Sequence, residues 1–113
     1  MKIVKIIDTN NLEKERVLFQ VDSNEDLDFY MLFNSEKTSE GKVKRRPKNV
    51  FWFPARQLKV GDSVVLYTKS GNTSQVTNSD GTTTYFFYWN LPATIWNEET
   101  TPVLFTLESW KSI

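Results

Sequence analysis

Val50–Gly71 reads VFWFPARQLKVGDSVVLYTKSG, and Tyr85–Asn97 reads YFFYWNLPATIWN. Two aromatic, strand-like runs bracket a Gly-Asp turn and a Val-rich strand. The span from Val50 to Trp96 holds three of the four Trp, and four of the eight Phe: Phe51, Phe53, Phe86 and Phe87. Pro54 stops the first run, because proline cannot donate to a strand ladder. Leu58-Lys59-Val60-Gly61-Asp62 forms the turn into Ser63–Thr68, with Gly61 free to take a positive φ. Aromatic density of this kind marks the segment as the core of an all-β domain rather than as a place of chemistry.

Outward from this segment the hydrophobic period is two, not 3.6. Lys2–Ile7 reads as a first strand. In Glu15–Val21, Val17, Phe19 and Val21 alternate with Arg16, Leu18 and Gln20, which gives a strand with one buried face. Leu27–Phe33 reads as a strand with Leu27, Phe29, Met31 and Phe33 on one face. Asn34–Lys48 reads as a polar loop. Lys69–Thr84 has Val76 as nearly its only apolar residue. It is either a loop or a hairpin closed at Ser79-Asp80-Gly81, since Asp-Gly favours hairpin turns. Tyr85–Trp89, Thr94–Trp96 and Val103–Leu107 complete the strands. Many short strands separated by turns predict a sandwich or a barrel over a single domain, residues 1–113.

The chain has 113 residues, enough for one hydrophobic core. No apolar run approaches the roughly 20 residues of a membrane span, and the N-terminal MKIVKIIDTNN does not read as a signal peptide. There is no cysteine, which fits a reducing compartment and leads to the expectation of a cytoplasmic protein, with an extracellular domain free of crosslinks as the alternative. The formal net charge is zero, but the charges are segregated. Residues 1–41 carry five Lys/Arg against nine Asp/Glu, residues 42–69 eight against one, and residues 70–113 one against four. A basic middle between acidic flanks suits either an anionic partner or pairing within the fold.

Chemistry is restricted by what is missing. With no His and no Cys, the chain lacks histidine acid–base groups, thiol nucleophiles and the usual zinc ligands. Paired carboxylates occur at Glu25/Asp26/Asp28 and Glu98/Glu99, but adjacent acids in turns are ordinary solvated residues unless two of them face each other across a cleft. Asp22–Asp26 lacks the spacing and glycine of an EF-hand loop. The sharpest charged feature is Lys42-Val43-Lys44-Arg45-Arg46-Pro47-Lys48, five cations in seven residues, directly before Phe51-Trp52-Phe53. Basic residues beside aromatics suit single-strand nucleic acids, with phosphates on the cations and bases on the rings. Aromatics alternating on a short strand more commonly face a core, and basic loops are commonly just solvated. Exposed tryptophans can stack on sugars, but Trp89 and Trp96 read as core, while the pattern assigns Trp52 and Trp110 to neither core nor surface.

The ordered series Phe51-Trp52-Phe53-Pro54, Leu58-Lys59-Val60-Gly61-Asp62, Val64-Val65-Leu66-Tyr67-Thr68 and Gly71 resembles the middle of a lamin-tail-type domain. Tyr88-Trp89 and Ile95-Trp96-Asn97 are similar to that family's later Trp and W-N positions, and Glu15–Phe19 to its E-x-V-x-I strand. The resemblance spans Glu15–Leu107 and is densest over 51–97. The chain departs from the family in its longer 69–84 segment, in Glu98–Pro102 after W-N, and in a final strand without the D-x-x-G turn. The resemblance implies an immunoglobulin-like β-sandwich. The L-x-x-G-D-x-V turn also occurs in small SH3-like, OB-like and PUA-like barrels, which stand as the alternative. It further implies a non-catalytic module for binding, tethering or assembly, with no cofactor, no metal and no catalytic residues. The partner is an unspecified macromolecule, protein or nucleic acid. The expected partner-binding residues are Lys42, Lys44, Arg45, Arg46, Lys48 and Trp52. A nucleic-acid-binding domain using 42–48 is the runner-up, and a carboxylate-based hydrolase the third reading.

Overall fold

The period-two segments become strands in the computed structural model, which describes residues 1–113. In chain order these are β1 (Lys2–Ile7), β2 (Arg16–Gln20), β3 (Glu25–Asp26), a single 3-10 turn (Leu27–Phe29), β4 (Tyr30–Lys37), β5 (Val43–Trp52), β6 (Gln57–Leu58), β7 (Ser63–Tyr67), β8 (Ser74–Thr77), β9 (Thr83–Tyr88) and β10 (Thr100–Thr106). The fold is all-β and sandwich-like. A five-stranded sheet ordered β1-β2-β7-β9-β8 lies against a three-stranded sheet ordered β10-β4-β5, and β3-β6 form a small ribbon. Both larger sheets are open, so the barrel alternative gives way to two layers. No helix is long and apolar enough to cross a membrane.

Alternation builds the core. Val17 and Phe19 of β2, Val64 and Leu66 of β7, Phe87 of β9, and Tyr30 and Leu32 of β4 all point inward, joined by Phe53, Trp89 and Trp96. Aromatic rings bridge the layers, with Phe53 edge-on to Phe19 at 5.6 Å and to Phe87 at 5.7 Å. Trp89 and Trp96 are buried, as the sequence suggests.

The 69–84 segment resolves into the hairpin alternative. β8 and β9 pair antiparallel, and β9 also pairs parallel with β7, so β9 lies between its two predecessors. Gly81 takes φ +86° in the turn, and Asp80 Oδ1 accepts hydrogen bonds from the Thr82 N–H and hydroxyl.

Three expectations are corrected. Asn34–Lys48 is not a loop: β4 runs on to Lys37, residues 38–42 turn with Gly41 at φ +79°, and β5 starts at Val43. β5 is an edge strand whose basic end is open to solvent, so it needs no apolar alternation, and a polar sequence disguises it. Polar side chains hold its bulges: the Asn49 N–H donates to Asn34 Oδ1 at 2.9 Å, and the Ser35 hydroxyl donates to the Lys44 carbonyl. Leu27–Phe33 is not one strand either. Asp26 caps the 3-10 turn by accepting from the Asp28 N–H, and the turn resets the phase. Tyr30 and Leu32 therefore join the main core cluster, while Phe33, though buried, packs apart from it. Thr94–Trp96 forms no strand. The Ile95 N–H instead donates to the carboxylate of Glu15, which is fully buried.

Candidate functional site: the outer face of the three-stranded sheet

Every expected partner-binding residue lies on or beside β5. The structure does not gather them into one cluster. Lys42 sits in the 38–42 turn, its ammonium 3.7 Å from Glu40, with both side chains largely in solvent. Lys44 and Lys48 converge on Glu36 of β4, at 3.4 and 2.7 Å. The Lys48 and then the Lys44 ammonium hold the Glu36 carboxyl below the usual carboxylate range. Arg45 and Arg46 form no ion pair. Trp52 lies at the opposite end of the strand, roughly 20 Å from Arg45 at the usual rise of a strand. Its indole N–H donates to the Asp28 carbonyl at 2.8 Å. Trp110 packs edge-on against it with centroids 4.7 Å apart, and donates to Asp28 Oδ2 at 3.2 Å.

Register explains what does come together. Met31 of β4 lies opposite Trp52 on one side and Phe105 on the other, and Phe33 lies between Val50 and Val103. Leu32, Phe51 and Leu104 occupy the alternate positions and pack toward the core. Each strand of this sheet is thus apolar on both faces, a pattern found where both faces are covered. Here one face is uncovered: Val43 is 46 % exposed, Val50 52 %, Trp52 44 % and Phe105 46 %. At its upper end Phe33, Val43, Pro47, Val103 and Phe105 line an open depression of about 580 Å³, with Arg45 as its only charged wall. Phe33 and Phe105 pack edge to face at 4.8 Å, forming its floor.

The sequence points to Arg45 and Trp52 but not to Phe33, Val103 and Phe105. The readable signal was the run of apolar residues without alternation: Met31-Leu32-Phe33, Val50–Phe53 and Val103-Leu104-Phe105. Such runs do not distinguish a covered outer face from a bare one.

The carboxylates of Glu25, Asp26 and Asp28 are engaged structurally. Glu25 accepts from the Met1 amino group and the Tyr30 hydroxyl, and Asp26 accepts from the Asp28 N–H and the Gln57 amide. Glu98 and Glu99 border a wholly polar depression with Glu36, Lys37 and Lys44. No group of three or more acidic, His or Cys residues is placed to hold a metal ion.

Comparison of the chain with family models, with curated proteins and with solved structures returns no match.

Proposed function

We propose that this chain is a non-catalytic binding module that engages a macromolecular partner through the outer face of the β10-β4-β5 sheet. The observation that carries the reading is the bare apolar face itself. A strand set apolar on both sides leaves Val43, Val50, Trp52 and Phe105 in water, and contiguous exposed apolar surface of this kind marks interaction sites. The series at 51–97 supports placing the domain with lamin-tail-type, immunoglobulin-like modules, which tether or assemble rather than catalyse. An experimental structure that superposes on such a domain strand for strand checks that placement. A cytoplasmic setting is part of the proposal, in keeping with a chain free of cysteine. Nucleic-acid binding through Lys42–Lys48 is less well supported, because Lys44 and Lys48 already share Glu36.

The test is site-specific photocrosslinking in extract from the source cells, with the crosslinker at Val50 or, as a control, at Val60 in the β6–β7 turn. Partner adducts are expected from Val50 alone, and Val43→Asp is expected to suppress them. Adducts from both positions, or from neither, would overturn the reading. So would turnover of esters, glycosides or phosphates that is abolished by substituting Glu98 and Glu99.

A further inference from the structure

We propose that the occupant of this face is an extended, acidic polypeptide segment, with one apolar side chain seated in the depression and a neighbouring carboxylate on Arg45. The inference rests on the outer face being a docking surface and goes on to name the chemistry of the partner.

Two features of β5 narrow the choice. The first is charge. Arg45 closes one side of an otherwise apolar depression, and neither it nor Arg46 has a carboxylate partner within the chain. A guanidinium at the rim of an apolar hollow is well placed for a two-pronged bond to a carboxylate. The second is the edge. Lys and Arg side chains, Pro47 without an N–H, and register breaks at Asn34/Ser35 and Ser35/Lys37 are the devices by which sheets resist pairing with their own kind. A second copy pairing edge to edge would set these cations against themselves. The same cations attract a strand bearing acids, so repulsion of one partner and selection of the other come from one set of residues. The lining also favours a polypeptide over a nucleic acid. Phe33 and Phe105 turn edge to face upon each other, and aliphatic side chains complete the wall. That hollow accepts a side chain better than a flat base, and stacking on open ring faces is what single strands require.

The experiment is a selection of phage-displayed random nine-residue peptides on the full chain, repeated on Arg45→Glu. Wild type is expected to enrich peptides with Asp or Glu beside a large apolar residue. A synthetic peptide of the consensus should bind about tenfold or more weakly to Arg45→Ala, and should be lost on Val43→Asp. Arg45→Glu should instead enrich basic peptides. Arg45 and Val43 are exposed on an edge strand, so these variants should keep the wild-type thermal unfolding midpoint, which is measured alongside. Enrichment of uncharged or basic peptides by wild type, still lost on Val43→Asp, would refute the acidic class while leaving the face a docking surface. Enriched peptides indifferent to both substitutions would remove both readings. The polypeptide assignment also fails if no peptide is enriched. It fails likewise if oligothymidylate binds and is lost in Arg45→Glu, or if the chain dimerises through Val43 in sedimentation.

Discussion

Glu15 carries an acidic side chain, yet it has no exposed surface and lies directly before β2. Its carboxylate accepts from the Thr68 hydroxyl at 2.6 Å, the Ile95 N–H at 3.1 Å and the Asn10 N–H at 3.2 Å. One side chain thus ties the β1–β2 turn, the end of β7 and the stretch before Trp96. Glu15→Ala would leave three donors without an acceptor, each costing about 1–3 kcal/mol if it stays buried, and water entering the space would recover part of this. A loss of about 3 kcal/mol in urea unfolding is expected, against under about 1 for the solvated Glu13→Ala. Nothing in the sequence marks this residue, because its partners lie up to 80 positions away and local polarity reads as exposure. Two of the tryptophans were more legible: Trp89 and Trp96 read as core and are buried, whereas Trp52, inside the apolar run Val50–Phe53, gave no local sign that it faces solvent.

The β4–β5 hairpin is the element that the sequence concealed. Its apolar end was readable from Val50–Phe53. Its basic end was not, since an edge strand exposed on a charged sequence lacks the periodicity that identifies strands elsewhere. To the backbone ladder and the Asn34 and Ser35 hydrogen bonds that hold that end, Lys44 and Lys48 add ion pairs with Glu36. Because these cations depress the Glu36 carboxyl, the pairing contributes fully above the ordinary carboxylate pKa. It is lost as pH falls through the lowered value in the folded state. Amide exchange at residues 36–48 should therefore accelerate under acid relative to β7, measured by NMR between pH 6 and about 3. In Lys48→Ala the Glu36 titration should move up toward the usual glutamate value, and an unmoved titration would mean the pair is absent in solution. The candidate site shares this history. Arg45 stood out as charge, whereas the depression it borders became visible only once register set Phe33 beside Phe105 and Val103.

Across the whole molecule, one sheet face is essential to stability and its reverse is not. Phe53 is 1 % exposed and touches Phe19, Phe51 and Phe87. Phe53→Ala should cost about 3–5 kcal/mol, a large share of the roughly 5–15 kcal/mol available to such a domain. Val50→Lys, on the bare face of β5 three residues earlier, should shift stability by no more than about 0.5 kcal/mol. Thermal or urea unfolding of the two variants separates a core aromatic from a surface held for another purpose. The all-β architecture and much of the core were legible because alternation is a local signal. Strand order was not, because β7 and β9 pair in parallel although the chain between them contains β8. That order has a kinetic consequence. β8 touches the sheet only through β9, and β9 must enter beside β7 after a long loop closure. The quickest route is for the β8–β9 hairpin to close first and dock as a finished pair, since local contacts cost less chain entropy than distant ones. Gly81, at φ +86° with open space around it, would govern that step. Gly81→Ala should slow refolding in stopped flow while leaving the unfolding limb nearly unchanged. If only unfolding accelerates, the hairpin closes late, and β7 must wait for β9 unaccompanied.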